Sequence, residues 1–338
     1  MIDGKLPVLV LGLGSNVSQG ILKALRMSRL DCRVLGACVS PQSAGLYAAD
    51  TWQISPLAAS PDFEPWLFEV CRDERVAAVL SGVEPVLEVL ARVAPALHAE
   101  TGARCVVSSP AVFAVGLDKL ATCRWLEEHE LAHPRYAAGD DGAAIDRLVA
   151  GCGWPLVAKP RTGRGSHGVV VVTSPAELGP IRGRADYVLQ EYLGDADVEF
   201  STGCFSDRDG AVRGSVVMRR LLTAGTTTFA ELGDFPEVRA EALKVASALG
   251  PMGPLNVQSR LHGGRAVTFE LNVRFSGTTP IRAHFGFNEV EAALRHFILD
   301  EPLADLPSPR EGTAARYWEE LYIDAGGKVT RGPFLPGS

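Results

Sequence analysis

The chain has 338 residues, which at about 150 residues per domain suggests two domains. Its 46% hydrophobic and 22% charged residues are ordinary globular composition, which excludes a disordered, coiled-coil or fibrous chain. With 40 acidic and 33 basic residues the formal charge is −7, and without a basic run nucleic acid is not an expected partner. No run of about 18 uninterrupted apolar residues occurs, so no membrane span is expected. The opening MIDGKLPVLVLGLGSNVSQG passes straight from an apolar run into a glycine loop, so a cytoplasmic chain without a signal peptide is expected. The 7 cysteines show no CxxC or CxxH spacing and read as reduced, mostly buried thiols.

In chain order, Pro7–Leu13 reads as a strand, and Val17, Ile21, Leu25 and Ser28 fall on one helical face. Cys32–Val39 reads as a strand, Phe63–Asp73 as a helix, Val76–Leu80 as a third strand, Glu84–His98 as a helix and Arg104–Val107 as a fourth strand. Such alternation implies parallel β-α-β units and a doubly wound first domain. Asp118–Leu131 then reads as a helix with Asp118 near its start. Strands follow at Pro155–Lys159, Val169–Thr173, Tyr187–Tyr192, Phe200–Phe205 and Ser215–Arg219, and a polar loop at Thr223–Asp234. Pro236–Leu249 is amphipathic, with Pro at its first turn and Gly250 after its last. Leu255–Leu261 and Ala266–Val273 form a hairpin, Glu289–Leu299 a helix, and the last 38 residues hold one strand near Arg316–Ile323.

Gly12-Leu-Gly14 between strand and helix favours an anion at the helix N-terminus. The third glycine of a dinucleotide fingerprint is replaced by Val17, and no acid ends the second strand. The loop reads as a tight turn or a backbone lining for a substrate pocket, and an NAD(P) oxidoreductase is disfavoured. In Lys159-Pro-Arg-Thr-Gly163-Arg-Gly165-Ser166-His-Gly168, glycines let backbone N–H groups approach a polyphosphate beside the Lys159 charge. In Glu270-Leu-Asn272, residues two apart face one way, so an anionic and a neutral oxygen ligand share one strand face. Asn256 and Gln258 do the same on the hairpin partner, and Arg274 continues the row. That sparse oxygen set suits Mg²⁺ held jointly with phosphates, with Mn²⁺ as a substitute. Arg274 suits a transferring phosphoryl group.

Taken in order, VLVLGLGSNVSQGILKALR, Asp118-Lys119, PLVAKPRTGRGSHGV, VLQEYL, NVQSRL and FELNVRFSG resemble the ATP-grasp superfamily. The likeness is to the branch of the carbamoyl phosphate synthetase large chain and amino-acid ligases, and runs from Val8 to about Leu299. It implies an α/β chain with an α+β C-terminal part: a Rossmann-like pre-ATP-grasp domain (1–113), then a two-subdomain ATP-grasp fold. The subdomains would be a lid (114–186) and a metal-binding part (187–300), followed by an extension (301–338). It implies that Lys119 and Lys159 contact ATP phosphates and that Gly163, Gly165, Ser166 and Gly168 fold over them. Glu191, Tyr192 and Leu193 would hold adenine, and Glu199 the ribose. Glu270 and Asn272 would ligate Mg²⁺, with Gln258 as a further ligand, and Arg274 would stabilise the γ-phosphoryl. Arg219 or Arg220 would steady an acyl phosphate. Val273 and His167 depart from the residues common at those positions, and neither removes a side-chain ligand. A single ATP-grasp unit speaks against a complete carbamoyl phosphate synthetase.

The resemblance implies an ATP-dependent carboxylate–amine ligase working through an acyl phosphate on small, amino-acid-like substrates. Phosphorylation of a carboxylate or carbamate without an amine, and a nucleotide-binding module without activity, stay open. Ser15, Asn16, Glu84, the 219–234 loop, Ser276–Arg282 and His284 are candidate walls of the substrate cleft. Arg282 reads as either a substrate-carboxylate partner or a surface salt bridge. A homodimer is expected on general frequency alone.

Overall fold

The computed structural model describes residues 4–163, 165, 167–194 and 199–331. Strands β1 (Leu6–Leu11), β2 (Cys32–Cys38), β3 (Thr51–Ile54), β4 (Ala78–Ser81) and β5 (Arg104–Cys105) pair in parallel in the order β3-β2-β1-β4-β5. Every residue of β1 and β4 is buried, as both-face coverage of a parallel sheet requires. Helices α1 (Asn16–Arg26), α2 (Phe63–Asp73) and α3 (Glu84–Thr101) provide that cover. The strand order reverses between β1 and β4, which opens a crevice at their C-terminal ends. The Gly12–Asn16 turn and Glu84 both leave from that edge. Gly12 has φ +72°, and a Cβ there would lie 2.3 Å from a Val83 methyl, so glycine is required. Ser15 caps α1 by accepting from Ser18 N at 3.1 Å. The edge strand β3 was not expected; it is short and largely exposed, so it carries no apolar run.

Helices α4 (Pro110–Leu117) and α5 (Lys119–Glu128) lead to a second sheet. It comprises β6 (Tyr136–Ala138), β7 (Leu156–Pro160), β8 (Val170–Val172) and β9 (Tyr187–Glu191) in the antiparallel order β6-β9-β7-β8. Helices α6 (Gly142–Cys152) and α7 (Pro175–Leu178) contribute Ile145, Leu148 and Leu178 to its own small core. A boundary at 186/187 would cut β9 out of the middle of this sheet; the chain leaves it after Glu191 instead.

The third sheet has β10 (Glu199–Ser206), β11 (Val212–Thr223), β12 (Thr226–Leu232), β13 (Gly253–His262), β14 (Arg265–Asn272) and β15 (Gly312–Ala315). All pairs are antiparallel, in the order β14-β13-β10-β11-β12-β15. The segment read as a polar loop, 223–234, is therefore mostly strand: β12 is paired on both sides, by β11 and β15, and its TTTFAEL run carries too few apolar residues to stand out from a loop. Of the strand expected near Arg316–Ile323 only β16 (Leu321–Ile323) forms, paired with β17 (Val329–Arg331), while β15, just before that segment, completes this sheet. Helix α8 (Pro236–Leu249) covers one face, ending at Gly250 with φ +57°. Helices α9 (Thr279–His284) and α10 (Glu289–Ala293) pack against α1, and α10 continues into a π-helical turn at Leu294–Ile298.

All seven cysteines are free thiols and only Cys152 is not fully buried. Burial pushes the Cys71, Cys105 and Cys204 thiols up to about 12. Among the described residues no helix is long and apolar enough to cross a membrane.

Candidate active site

Strands β7 and β9 on one side, and β10, β11, β13 and β14 on the other, enclose a cleft of about 230 Å³. It receives Lys119, Lys159, Gly163, Gly165, Glu191, Tyr192, Leu193, Glu199, Arg220, Gln258 and Glu270, which lie far apart along the sequence. Ser166 lies outside the described residues. Gly168 flanks the cleft, where a Cβ would lie 2.8 Å from Pro160 Cγ.

Lys159 stands at the end of β7, its Nζ 4.6 Å from the Phe269 ring centroid. Burial pushes its pKa down to about 8, partly opposed by the Glu270 carboxylate. Asp118 accepts from Leu120 N at 2.8 Å, which fixes the start of α5. It also accepts from Arg161 Nε at 3.0 Å. Burial would raise the Asp118 carboxyl, but Arg161 and the helix N–H groups outweigh it and hold it below the usual range. Lys119, one residue on, reaches the glycine loop and donates to Gly163 O at 3.1 Å. Gly163, Gly165 and Gly168 have φ of +110°, +66° and +73°, so the turn needs glycine. The tip of the β11–β12 hairpin touches this loop: a Cβ on Gly225 would lie 2.4 Å from Gly165 O.

On the opposite wall, Gln258 pairs with Glu270 and Asn256 with Asn272 across β13–β14, so the expected shared face is formed. The four side chains are not equally available. Asn256 accepts from Ser201 Oγ at 2.7 Å and also from Arg282, and is 1% exposed. Gln258 Oε1 accepts from Arg220 Nη2 at 2.8 Å, which occupies the oxygen expected to ligate a metal. Among the described residues Glu270 accepts only from Asn272 Nδ2, at 3.3 Å, and has no cation within ion-pair distance. An unpaired carboxylate beside a carboxamide, facing a cleft rich in cations, fits one or two protein ligands of a Mg²⁺ shared with phosphates.

Alternation along β11 separates the two arginines. Arg219 pairs with Glu231 on the outer face, Nε to Oε2 at 3.1 Å. Arg220 is buried in the cleft and donates to Glu199 Oε1 at 2.7 Å. Arg260, which sequence reasoning missed, donates to Glu199 Oε2 at 2.8 Å and lines the same cleft. Both Glu199 oxygens thus hold guanidinium groups. Arg260 shares a face with Gln258 at strand spacing, and that was the signal available for finding it.

Arg274 and Asn272 lie beyond the cleft toward the first sheet. Arg274 Nη2 donates to Glu84 Oε1 at 2.9 Å and to Asn272 Oδ1 at 2.8 Å. Glu84 opens α3, so this pair joins the switch-point crevice to the end of β14. Arg282 is not a cleft residue. It is 0% exposed and pairs with the equally buried Glu289 at 3.0 Å, which excludes both earlier readings of it.

Residues 184–321 match the family model described as ATP-grasp in the biosynthetic pathway with Ter operon. Residues 8–103 match that of the PylC-like N-terminal domain. The carbamoyl phosphate synthase large chain of Deinococcus radiodurans is 26% identical over 308 residues, covering 81% of this chain. The match spans 28% of that relative's length. The biotin carboxylase domain of the Hydrogenobacter thermophilus 2-oxoglutarate carboxylase superimposes with a TM-score of 0.72 at 14% identity, over 98% of this chain and 83% of that one. The L-amino acid ligase of Bacillus licheniformis gives 0.68 at 18% identity, over 89% and 76%.

Proposed function

The chain belongs to the ATP-grasp superfamily, and on that premise we propose that it is an ATP-dependent carboxylate–amine ligase. The observation that carries this is the cleft itself: four cations (Lys119, Lys159, Arg220, Arg260) face one unpaired carboxylate, Glu270, between two antiparallel sheets. Such a site fits a triphosphate with its divalent cation.

In this reading Lys119 and Lys159 hold the phosphates, and Gly163, Gly165 and Gly168 let backbone N–H groups cover them. Glu191, Tyr192 and Leu193 take the adenine edge where the chain passes between sheets. Glu199 fixes Arg220 and Arg260, and its remaining lone pairs are open to a ribose hydroxyl. Glu270 would hold Mg²⁺ first, with Asn272 and Gln258 as further ligands whose oxygens already accept from Arg274 and Arg220. When bound, that ion would offset the charge of the phosphate oxygens. A substrate carboxylate oxygen attacks the γ-phosphorus, the bond to the β-phosphate oxygen breaks, and ADP leaves. Arg220 and Arg274 stabilise the charge on the transferred group. An amine then displaces phosphate from the acyl carbon. Closure of the glycine loop on the β11–β12 tip keeps water from the acyl phosphate. A homodimer like that described for the matched biotin carboxylase domain belongs to the same proposal.

The test is ADP release from Mg-ATP against pools of amino acids and small carboxylic acids. Release that needs both a carboxylate and an amine is the expected result. Release with a carboxylate or bicarbonate alone replaces the ligase reading with simple phosphorylation. Tight ATP binding with no release from any pool favours a binding module. Glu270→Ala is expected to lower release at least about a hundredfold in a folded protein; an unchanged rate removes the metal assignment.

A further inference from the structure

Arg316 is the first residue past β15, in the extension to which the sequence assigned no role. Its backbone N–H donates to Thr228 O of β12 at 2.8 Å, so the sheet edge fixes its position. Its guanidinium donates to the carbonyl oxygen of Gly277. Gly277 lies three residues past Arg274, in the turn joining β14 to α9. A Cβ on Gly277 would sit 3.2 Å from the Asn16 carboxamide. Arg316, this turn and the start of α1 therefore meet in one place, close along the chain to the Arg274–Glu84 pair.

A guanidinium drawn away from water ordinarily has a carboxylate partner. Arg220, Arg260, Arg274 and Arg282 all do. Among the described residues Arg316 has none, and burial lowers its proton affinity with no anion to offset it. One carbonyl satisfies one of its five N–H donors. The rest form a planar fork that matches a carboxylate. The nucleotide phosphates already have four cations in the other cleft. Glu84 is held by Arg274, three residues before Gly277 in the sequence, and an acidic group suits an ammonium rather than a second polyanion.

We propose that Arg316 and Asn16 form a carboxylate-binding subsite for the non-reacting carboxylate of an α-amino-acid substrate. The proposal rests on the ligase reading and names its substrate class. The probes are the twenty L-amino acids as free acids and as primary amides, with inorganic phosphate as the alternative anion. They are added to the full chain with Mg²⁺ and AMP-PNP and followed by saturation-transfer NMR. At least one free acid is expected to bind about tenfold more tightly than its amide. Arg316→Gln, which keeps a donor for Gly277 O, removes that preference; Arg316→Lys keeps part of it; AMP-PNP binds all three proteins equally. The subsite is overturned by equal binding of acid and amide, or by an acid preference that survives in Arg316→Gln. Binding of AMP-PNP but of no amino acid also overturns it, as does inorganic phosphate displacing the acid at lower concentration. A loss of AMP-PNP affinity in Arg316→Gln would place the residue in the phosphate site and end the proposal. Failure of the wild-type chain to bind AMP-PNP would instead overturn the ligase reading, and the subsite with it.

Discussion

Lys159 carries a charge in a place that disfavours it. Burial brings its pKa to about 8, and a bound phosphate would favour the protonated form and raise it again. Nucleotide binding therefore takes up a proton above pH 8, and affinity falls as pH rises through that value. The AMP-PNP dissociation constant is expected to rise by up to about tenfold between pH 8 and 9 in the wild type, and to stay level in Lys159→Arg. A flat wild-type profile would remove Lys159 from the phosphates. The Arg282–Glu289 pair is a different use of charge. Both side chains are fully buried, and Arg282 also donates to Ser276 Oγ at 2.8 Å and Thr278 Oγ1 at 3.0 Å. Glu289→Ala leaves an uncompensated cation inside and is expected to cost about 3–5 kcal/mol in denaturant unfolding. Sequence spacing could not separate these arginines. A charged residue two positions from the next strand's end reads the same whether it meets ATP, water or a buried glutamate.

At the level of elements, the strongest periodic segments were legible. Phe63–Asp73 and Pro236–Leu249 form helices with the expected ends, because each carries an apolar stripe and, in the second, Pro236 and Gly250 mark the ends. The β13–β14 face was legible too, since alternation fixes which side chains share a side. β12 was not, because its TTTFAEL run, though paired on both sides, has a loop's composition. This matters for the site: the β11–β12 tip, not a free loop, touches the glycine turn. Gly225 has φ +71°, and a side chain there would strike Gly165 O. Gly225→Val is expected to strain the tip by about 1–2 kcal/mol and move it off the turn. KM for ATP should then rise roughly tenfold, with a fall of only about 2–4 °C in melting temperature. A changed melting temperature with unchanged KM would show that the contact only stabilises the hairpin.

Over the whole molecule, the cores divide unevenly. Leu9, Val79 and Leu90 of the first unit share one core with Val245, Leu255 and Leu271 of the six-stranded sheet. The four-stranded sheet keeps a separate core around Ile145, Leu156 and Leu189. It is therefore the part free to move or unfold by itself. Ile145→Ala is expected to remove about 2–5 kcal/mol of local stability. Amide exchange should accelerate over 136–191 and stay unchanged in β1, β4 and β13. Acceleration everywhere would mean one cooperative unit.

The sequence by itself determined the order of motifs, the parallel first sheet, the glycine turn and the oxygen-bearing face of β14. These depend on local backbone chemistry and on periodicity, which short segments carry in full. Only the tertiary structure decided which polar groups remain open. Gln258 and Asn256 share a face with Glu270 and Asn272, yet arginines from β11 and α9 engage them and leave Glu270 unpaired. Likewise Arg316 gains meaning only beside Gly277 and Asn16. Availability depends on partners distant in sequence, because a buried charge is set by whichever group reaches it across the fold.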